Sequence, residues 1–80
     1  MKLPRDLSGR DLAKASTKLG YEITRQTGSH MRLTTMEEGQ HHLTIPKHDP
    51  LKIGTLAAVL SDIAEHFHVT REEIIRKIFS

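Results

Sequence analysis

Residues 30–46 read HMRLTTMEEGQHHLTIP, and the way this stretch folds back on itself decides the rest of the chain. "HMRLTTM" (30–36) alternates and sets Met31, Leu33 and Thr35 on one face, while "QHHLTIP" (40–46) sets His41, Leu43 and Ile45 on one face. Period-two alternation marks a strand with one buried face, and Glu37-Glu38-Gly39 between the runs supplies the turn. Pairing Met36 with Gln40 brings Leu33 opposite Leu43 and Met31 opposite Ile45, which joins the two apolar faces. A slip of one residue would send each of these side chains to the other face, so the pattern predicts this register. Pro46 has no N–H to give a ladder and ends the strand.

Upstream, "YEITRQT" (21–27) alternates with Tyr21 and Ile23 on one face and gives a first strand. Residues 8–19 precede it as a helix. Ser8 can cap its first turn, Asp11 completes a capping-box-like arrangement with Asp in place of Glu, and Leu7 and Leu12 occupy the staple positions. Leu12, Ala15, Ser16 and Leu19 form one face, and Gly20 supplies the stop. Downstream, a second helix is expected from Gly54 to about Phe67, with Leu56, Val59, Leu60, Ile63 and Phe67 at helical spacing. Thr70 and Glu73 form a capping box for a last short helix, stapled by Val69 and Ile74, with Ile74, Ile75, Ile78 and Phe79 as its apolar side. The expected fold is α+β in the order α-β-β-β-α plus a terminal helical segment, a three-stranded antiparallel sheet with both main helices on one face. Residues 1–80 are read as a single domain without repeats, low-complexity tracts or linkers.

Hydrophobic residues make up 36% of the 80, enough for one sheet face and its helices but not for a deep internal pocket. The chain has no cysteine, which excludes disulfides and thiolate metal sites. No apolar run approaches the roughly 20 residues that span a bilayer. "MKLPRDLSGR" lacks the apolar segment of a signal peptide, so a cytoplasmic protein is expected. Net charge is +2, with nine Lys/Arg against six Asp/Glu over residues 1–52 and three against four over residues 53–80. A mildly basic front half is compatible with a polyanionic partner and equally with a solvated surface.

Six histidines are the main chemical lead. His41 and His42 are adjacent on a strand and point to opposite faces, so they cannot chelate one ion together. His66 and His68 lack the HExxH spacing, and no carboxylate lies at a ligand-like interval, so no metal is expected. His41 is read as a partly buried residue near the sheet edge, and His66 and His68 as surface residues. His30 differs. It opens the second strand on the polar side with Arg32 and Thr34, beside His42 and Thr44 of the next strand. In the predicted register it lies opposite Pro46, so Lys47 and His48 emerge nearby. An imidazole titrating near neutrality can move a proton at working pH, and cations beside it can hold a phosphate. Gly28 permits a positive φ and close ligand approach. On the residues alone, a histidine opening a strand is common, and the Arg10, Lys14 and Lys18 stripe on the first helix is a solvated face.

The tetrad Gly28-Ser29-His30-Met31 matches the remnant of a cleaved affinity tag, but such a scar belongs at a terminus, and these internal residues are read as native. Gly28-Ser29-His30, Pro46-Lys47-His48 and Gly54-Thr55-Leu56, in that order, resemble the pattern of the HicA family of small bacterial and archaeal toxins. There a short helix precedes a Gly-Ser-His that opens a strand, a later strand ends in Pro-x-His, and Gly-Thr-Leu starts a helix. The opening "LSGRDLAKASTKLGYEITRQTGSH" is similar to the family's as well, and the resemblance covers roughly residues 3–79. It implies a double-stranded-RNA-binding-domain-like fold and cleavage of mRNA without metal or other cofactor, with His30 as the catalytic residue. It also implies a HicB-like antitoxin as partner, covering His30 and the basic surface. Under that reading Arg32, Lys47 and His48 offset phosphate charge. Ser29 shapes the loop or binds phosphate, because no paired carboxylate orients a Ser-His dyad. Arg10, Lys14 and Lys18 become candidate RNA contacts, since the fold presents its first helix to RNA. The acidic "EEGQHH" tip is expected to lie away from substrate. The rival readings are a non-catalytic RNA-binding or protein-interaction module on the same fold, and a relative that has lost the activity.

Overall fold

In the computed structural model, which describes residues 6–80, Ser8 starts the first helix as its sequence position predicts. Its hydroxyl accepts the Asp11 amide at 3.0 Å, and its own amide donates to the Asp11 carboxylate at 3.1 Å. Two orphan donors of the first turn are thereby satisfied reciprocally. The Ser8 amide bond, followed by the Ser8 hydroxyl, holds the Asp11 carboxyl below its usual range. Met1–Arg5, the start of the segment that lacks a signal-peptide pattern, lie outside the described residues.

The expected helix over residues 8–19 divides in two. An α-helix, α1, covers Gly9–Ser16, and a 3-10 turn covers Thr17–Leu19. The Ser16 hydroxyl donates to the Leu12 carbonyl at 2.8 Å and the Thr17 hydroxyl to the Lys14 carbonyl at 2.6 Å. Side-chain hydroxyls that take helical carbonyls in this way compete with the regular ladder. Gly20 then turns the chain in the left-handed region at φ 82°. The buried face of α1 is Gly9, Leu12, Ala13 and Ser16, so Ala13 takes the inward place expected of Ala15, which is only half-buried.

Three strands follow, β1 (Glu22–Gln26), β2 (His30–Thr35) and β3 (His41–Pro46), in one antiparallel sheet ordered β1-β2-β3. The hairpin register is the predicted one: His30 pairs with Pro46, Met31 with Ile45 and Leu33 with Leu43. Met31, Leu33, Thr35, Leu43 and Ile45 are buried, and the residues between them are exposed or half-buried. One face of the sheet therefore carries the core, and the other is bare. β1 departs from expectation. Tyr21 is buried, but Ile23 is 44% exposed. Ile23 does pair with Leu33 on the core side, yet β1 is the edge strand and every residue of it is exposed. The ladder is also irregular between Ile23 and Arg25, where the shift of register leaves Thr24 as an extra residue.

Helices α2 (Ile53–Phe67) and α3 (Arg71–Phe79) complete the chain, so α2 begins one residue before the expected Gly54. Leu56, Val59, Leu60 and Ile63 are buried as the spacing predicts, and Ile74, Ile75 and Ile78 join the same core. The Thr70 hydroxyl accepts the Glu73 amide at 3.1 Å, which forms the first half of the capping box. The architecture is the expected α+β one, a helix before the sheet and two after it. Two ties set the end of the molecule where β2 begins and β3 finishes. The Gly9 amide donates to the His48 carbonyl at 2.9 Å, and the Leu51 amide to the Leu7 carbonyl at 2.7 Å. At Gly9 a methyl group would land on the Pro46 backbone carbonyl, so the start of α1 can lie against the end of β3 only because that residue has no side chain.

Candidate functional site

His30 stands at the mouth of a tight turn closed by its own main chain. The Thr27 amide donates to the His30 carbonyl at 2.9 Å, and the Thr27 hydroxyl accepts the His30 amide at 3.1 Å. The imidazole is exposed on the bare face, with Nδ1 2.8 Å from Ser29 Oγ. That bond fixes what the other ring nitrogen can do. When the Ser29 hydroxyl accepts from Nδ1–H, Nε2 offers a lone pair to solvent; when the hydroxyl donates, Nε2 carries the proton outward. Gly28 contributes differently from expectation. It does not adopt a positive φ, and it leaves open space beside the turn.

Lys47 straps this turn from the neighbouring strand end. Its amide donates to the Ser29 carbonyl at 2.8 Å and its ammonium to the Thr27 carbonyl at 2.7 Å. The ammonium has two further N–H groups in this half-buried position. His48 is exposed and is held by its carbonyl bond to Gly9, which also sets exposed Arg10 at this end of the molecule. Arg32 lies two residues along β2 from His30 on the same bare face, opposite Thr44. The structure thus gathers Ser29, His30, Arg32, Lys47 and His48 at one end of the sheet, with Arg10 next to them. Lys14 and Lys18 are not part of that group. They rim a shallow groove between α1 and α3 with Ile78 and Phe79, and the Lys18 ammonium donates to the Ser80 carbonyl at 3.1 Å.

Sequence reasoning missed Arg25. In strict alternation Arg25 falls on the side of Tyr21 and Ile23, but the irregularity at Thr24 pairs it with Arg32 instead. Directly paired residues of an antiparallel ladder share a face, so Arg25 joins the bare one. Only the ladder, not the pattern of residue types, carries that signal.

The remaining histidines divide by face. His42 Nδ1 lies 2.8 Å from Thr34 Oγ1, which is 3.0 Å from Thr24 Oγ1, a row of hydroxyls and imidazole crossing all three strands. His41 is 19% exposed and is fully engaged at the sheet edge. Burial, with the Asp62 charge second, pushes the Tyr21 phenol far above its usual range, so it stays protonated. The Asp62 carboxylate, 3.1 Å from His41 Nε2, can only accept, so in the neutral ring Nε2 carries the proton and Nδ1 accepts the Tyr21 hydroxyl at 2.7 Å. His66 was expected on the surface, but it is half-buried. Its ring stacks on that of His41 at 4.4 Å between centroids and 9° between planes, and its Nε2–H donates to the Glu37 carbonyl at 2.9 Å. These contacts lock α2 to the β2–β3 hairpin at the end away from His30. Among the described residues no group of three or more His, Cys, Asp or Glu side chains is placed to hold a metal ion. Among them, too, no helix is long and apolar enough to cross a membrane.

A family model described as the HicA toxin of bacterial toxin-antitoxin systems matches residues 9–64. That span takes in α1, the whole sheet and most of α2, including Gly28-Ser29-His30, Pro46-Lys47-His48 and Gly54-Thr55-Leu56. No curated protein and no solved structure matches the chain.

Proposed function

Because the chain belongs to the HicA toxin family, the toxins of bacterial toxin–antitoxin pairs, we propose that it is an endoribonuclease that cleaves mRNA without a metal. His30 exchanges the proton. Its Nε2 has no hydrogen-bond partner among the described residues and Nδ1 is steadied by Ser29, so the ring can take the proton of a ribose 2′-hydroxyl. The freed oxygen attacks the adjacent phosphorus and closes a 2′,3′-cyclic phosphate, the bond to the 5′-oxygen of the next nucleotide breaks, and that oxygen takes its proton from solvent water. Lys47 and Arg32, with His48 and Arg10 at the margin, offset the charge that builds on the phosphate. The observation that carries this reading is the exposed imidazole oriented through Nδ1 on the bare face, with Arg32 one strand step along β2 and Lys47 strapping the turn that His30 closes.

A HicB-like antitoxin would silence the reaction by covering His30 and the basic surface around it, in the cytoplasm where mRNA is translated. The test is purified protein with a long RNA, wild type against His30→Ala, with and without EDTA. Cleavage should fall about 10²–10⁴-fold in the variant, the usual contribution of a positioned acid or base, and EDTA should change nothing. Equal cleavage by both proteins refutes the role of His30. Loss of cleavage in EDTA refutes the metal-free mechanism, and RNA binding without any cleavage by the wild type leaves a binding module in place of an enzyme.

A further inference from the structure

The irregularity in β1 has a chemical result. With a regular ladder, Thr24 would face Arg32 and Arg25 would face Met31 on the core side. The extra residue instead sets Arg25 directly opposite Arg32, two arginines on one face of neighbouring strands. The Thr24 hydroxyl secures the displaced backbone by donating to the Arg32 carbonyl at 3.3 Å. Like charges directly opposite each other oppose folding. Neither arginine has an ion-pair partner among the described residues, where the one close pair is His41 with Asp62. The charged or titratable neighbours on this face are His30 in one row, and Glu22 and His42 in the row beyond, paired through Thr34. Bulges of this kind recur beside active sites, where they re-aim a side chain.

We infer that Arg25 and Arg32 together form a subsite for a backbone phosphate of single-stranded RNA, one nucleotide away from the phosphate at His30. Arg32 stands one two-residue strand step from His30, about 6.6 Å, a span that a single nucleotide covers. A phosphate between the two guanidinium groups turns their mutual repulsion into shared attraction and can accept from both in fork geometry. The subsite reads no base, so it anchors the strand irrespective of sequence. It rests on the ribonuclease reading only for what happens at His30; the binding itself stands on the sheet geometry.

The experiment compares Arg25→Gln, Arg32→Gln and, as a charge-matched control at an exposed position of α3, Arg76→Gln. Binding of a short single-stranded RNA is measured over a range of salt in the His30→Ala background. Cleavage is measured with an oligonucleotide and with a dinucleoside monophosphate, which has the scissile phosphate and no neighbour. Arg25→Gln and Arg32→Gln should each weaken binding about tenfold, the value of a charge-assisted hydrogen bond, and lower the salt slope by about 0.7. The Arg25→Gln, Arg32→Gln pair should lose little more slope than either alone, because both hold one phosphate. For Arg25→Gln, cleavage of the oligonucleotide should show a raised KM, cleavage of the dinucleoside monophosphate no change, and the melting temperature should stay level or rise. Arg25→Gln matching Arg76→Gln in an RNase-active protein overturns the subsite and leaves the ribonuclease reading standing. Arg25-dependent binding in a wild type that cleaves nothing overturns the ribonuclease reading and supports the subsite.

Discussion

Leu33→Ala tests the register on which the whole sheet depends. Leu33 is 0% exposed, sits in the middle of the central strand and is paired with Leu43 on one side and Ile23 on the other. Leu→Ala substitutions in cores cost about 2–5 kcal/mol, and the larger values belong to sites that cannot collapse. Both flanking ladders hold the backbone of β2 in place, so the vacated space stays open and the expected loss is about 3–5 kcal/mol. Eighty residues at about 0.05–0.15 kcal/mol each have about 4–12 kcal/mol in all, so the variant gives up much of its stability. Urea unfolding followed by circular dichroism should show a lower midpoint with the slope unchanged, and the melting temperature should drop by about 15–30 °C. His30→Ala, three residues earlier on the bare face, should stay within about 0.5 kcal/mol of the wild type in the same assay. A loss below about 0.5 kcal/mol for Leu33→Ala would mean that the pairing or the buried face is wrong.

Gly9→Ala should lower the melting temperature, because the added methyl meets the Pro46 carbonyl and must push α1 off the end of β3; an unchanged melting curve would show that the two need not touch. The Asp11 carboxyl is held below its unfolded pKa by Ser8, so its contribution is fully present above about pH 4 and fades as pH falls through the lowered folded value. The stability difference between wild type and Asp11→Ala should accordingly close on acidification, and a constant difference from about pH 6 to about pH 2 would dissociate the effect from the carboxylate. Lys14→Ala with Lys18→Ala measures whether the α1 stripe touches RNA away from His30. If it does, binding weakens without sequence preference and the salt slope drops by about 0.7 for each phosphate no longer neutralised; an unchanged slope returns the stripe to solvent.

The hairpin was legible because alternation has a single register that joins Met31, Leu33, Leu43 and Ile45, and the caps were legible because Ser8 and Thr70 act within one turn. Burial of Tyr21 beside exposure of Ile23 was not, since it depends on where the helices end above an edge strand. Ala13 lies inward in place of Ala15 because the buried face of α1 is Gly9, Leu12, Ala13 and Ser16, the i, i+3, i+4 and i+7 positions of a regular helix, while Leu19 belongs to the 3-10 turn beyond it. His41 and His66 could not be joined from the sequence, because their partners Tyr21, Asp62 and Glu37 lie 20 or more residues away and meet only when α2 docks. At the candidate site, His30 beside Lys47 came directly from the register. Arg25 did not, because an extra residue in one strand leaves no trace in the residue types.

The turn before His30 is held by main-chain bonds and by Lys47, while β2 sends Met31, Leu33 and Thr35 inward and His30 and Arg32 outward. Under the proposed reading, one strand thus encodes folding and killing on interleaved residues that do not share atoms of the core. A single codon change at position 30 then yields a harmless protein with an intact scaffold, still shaped to occupy the antitoxin. Under that reading, loss of toxicity and loss of structure would be separate evolutionary events in this chain, and a cell that acquired the first would gain a decoy for its own antitoxin.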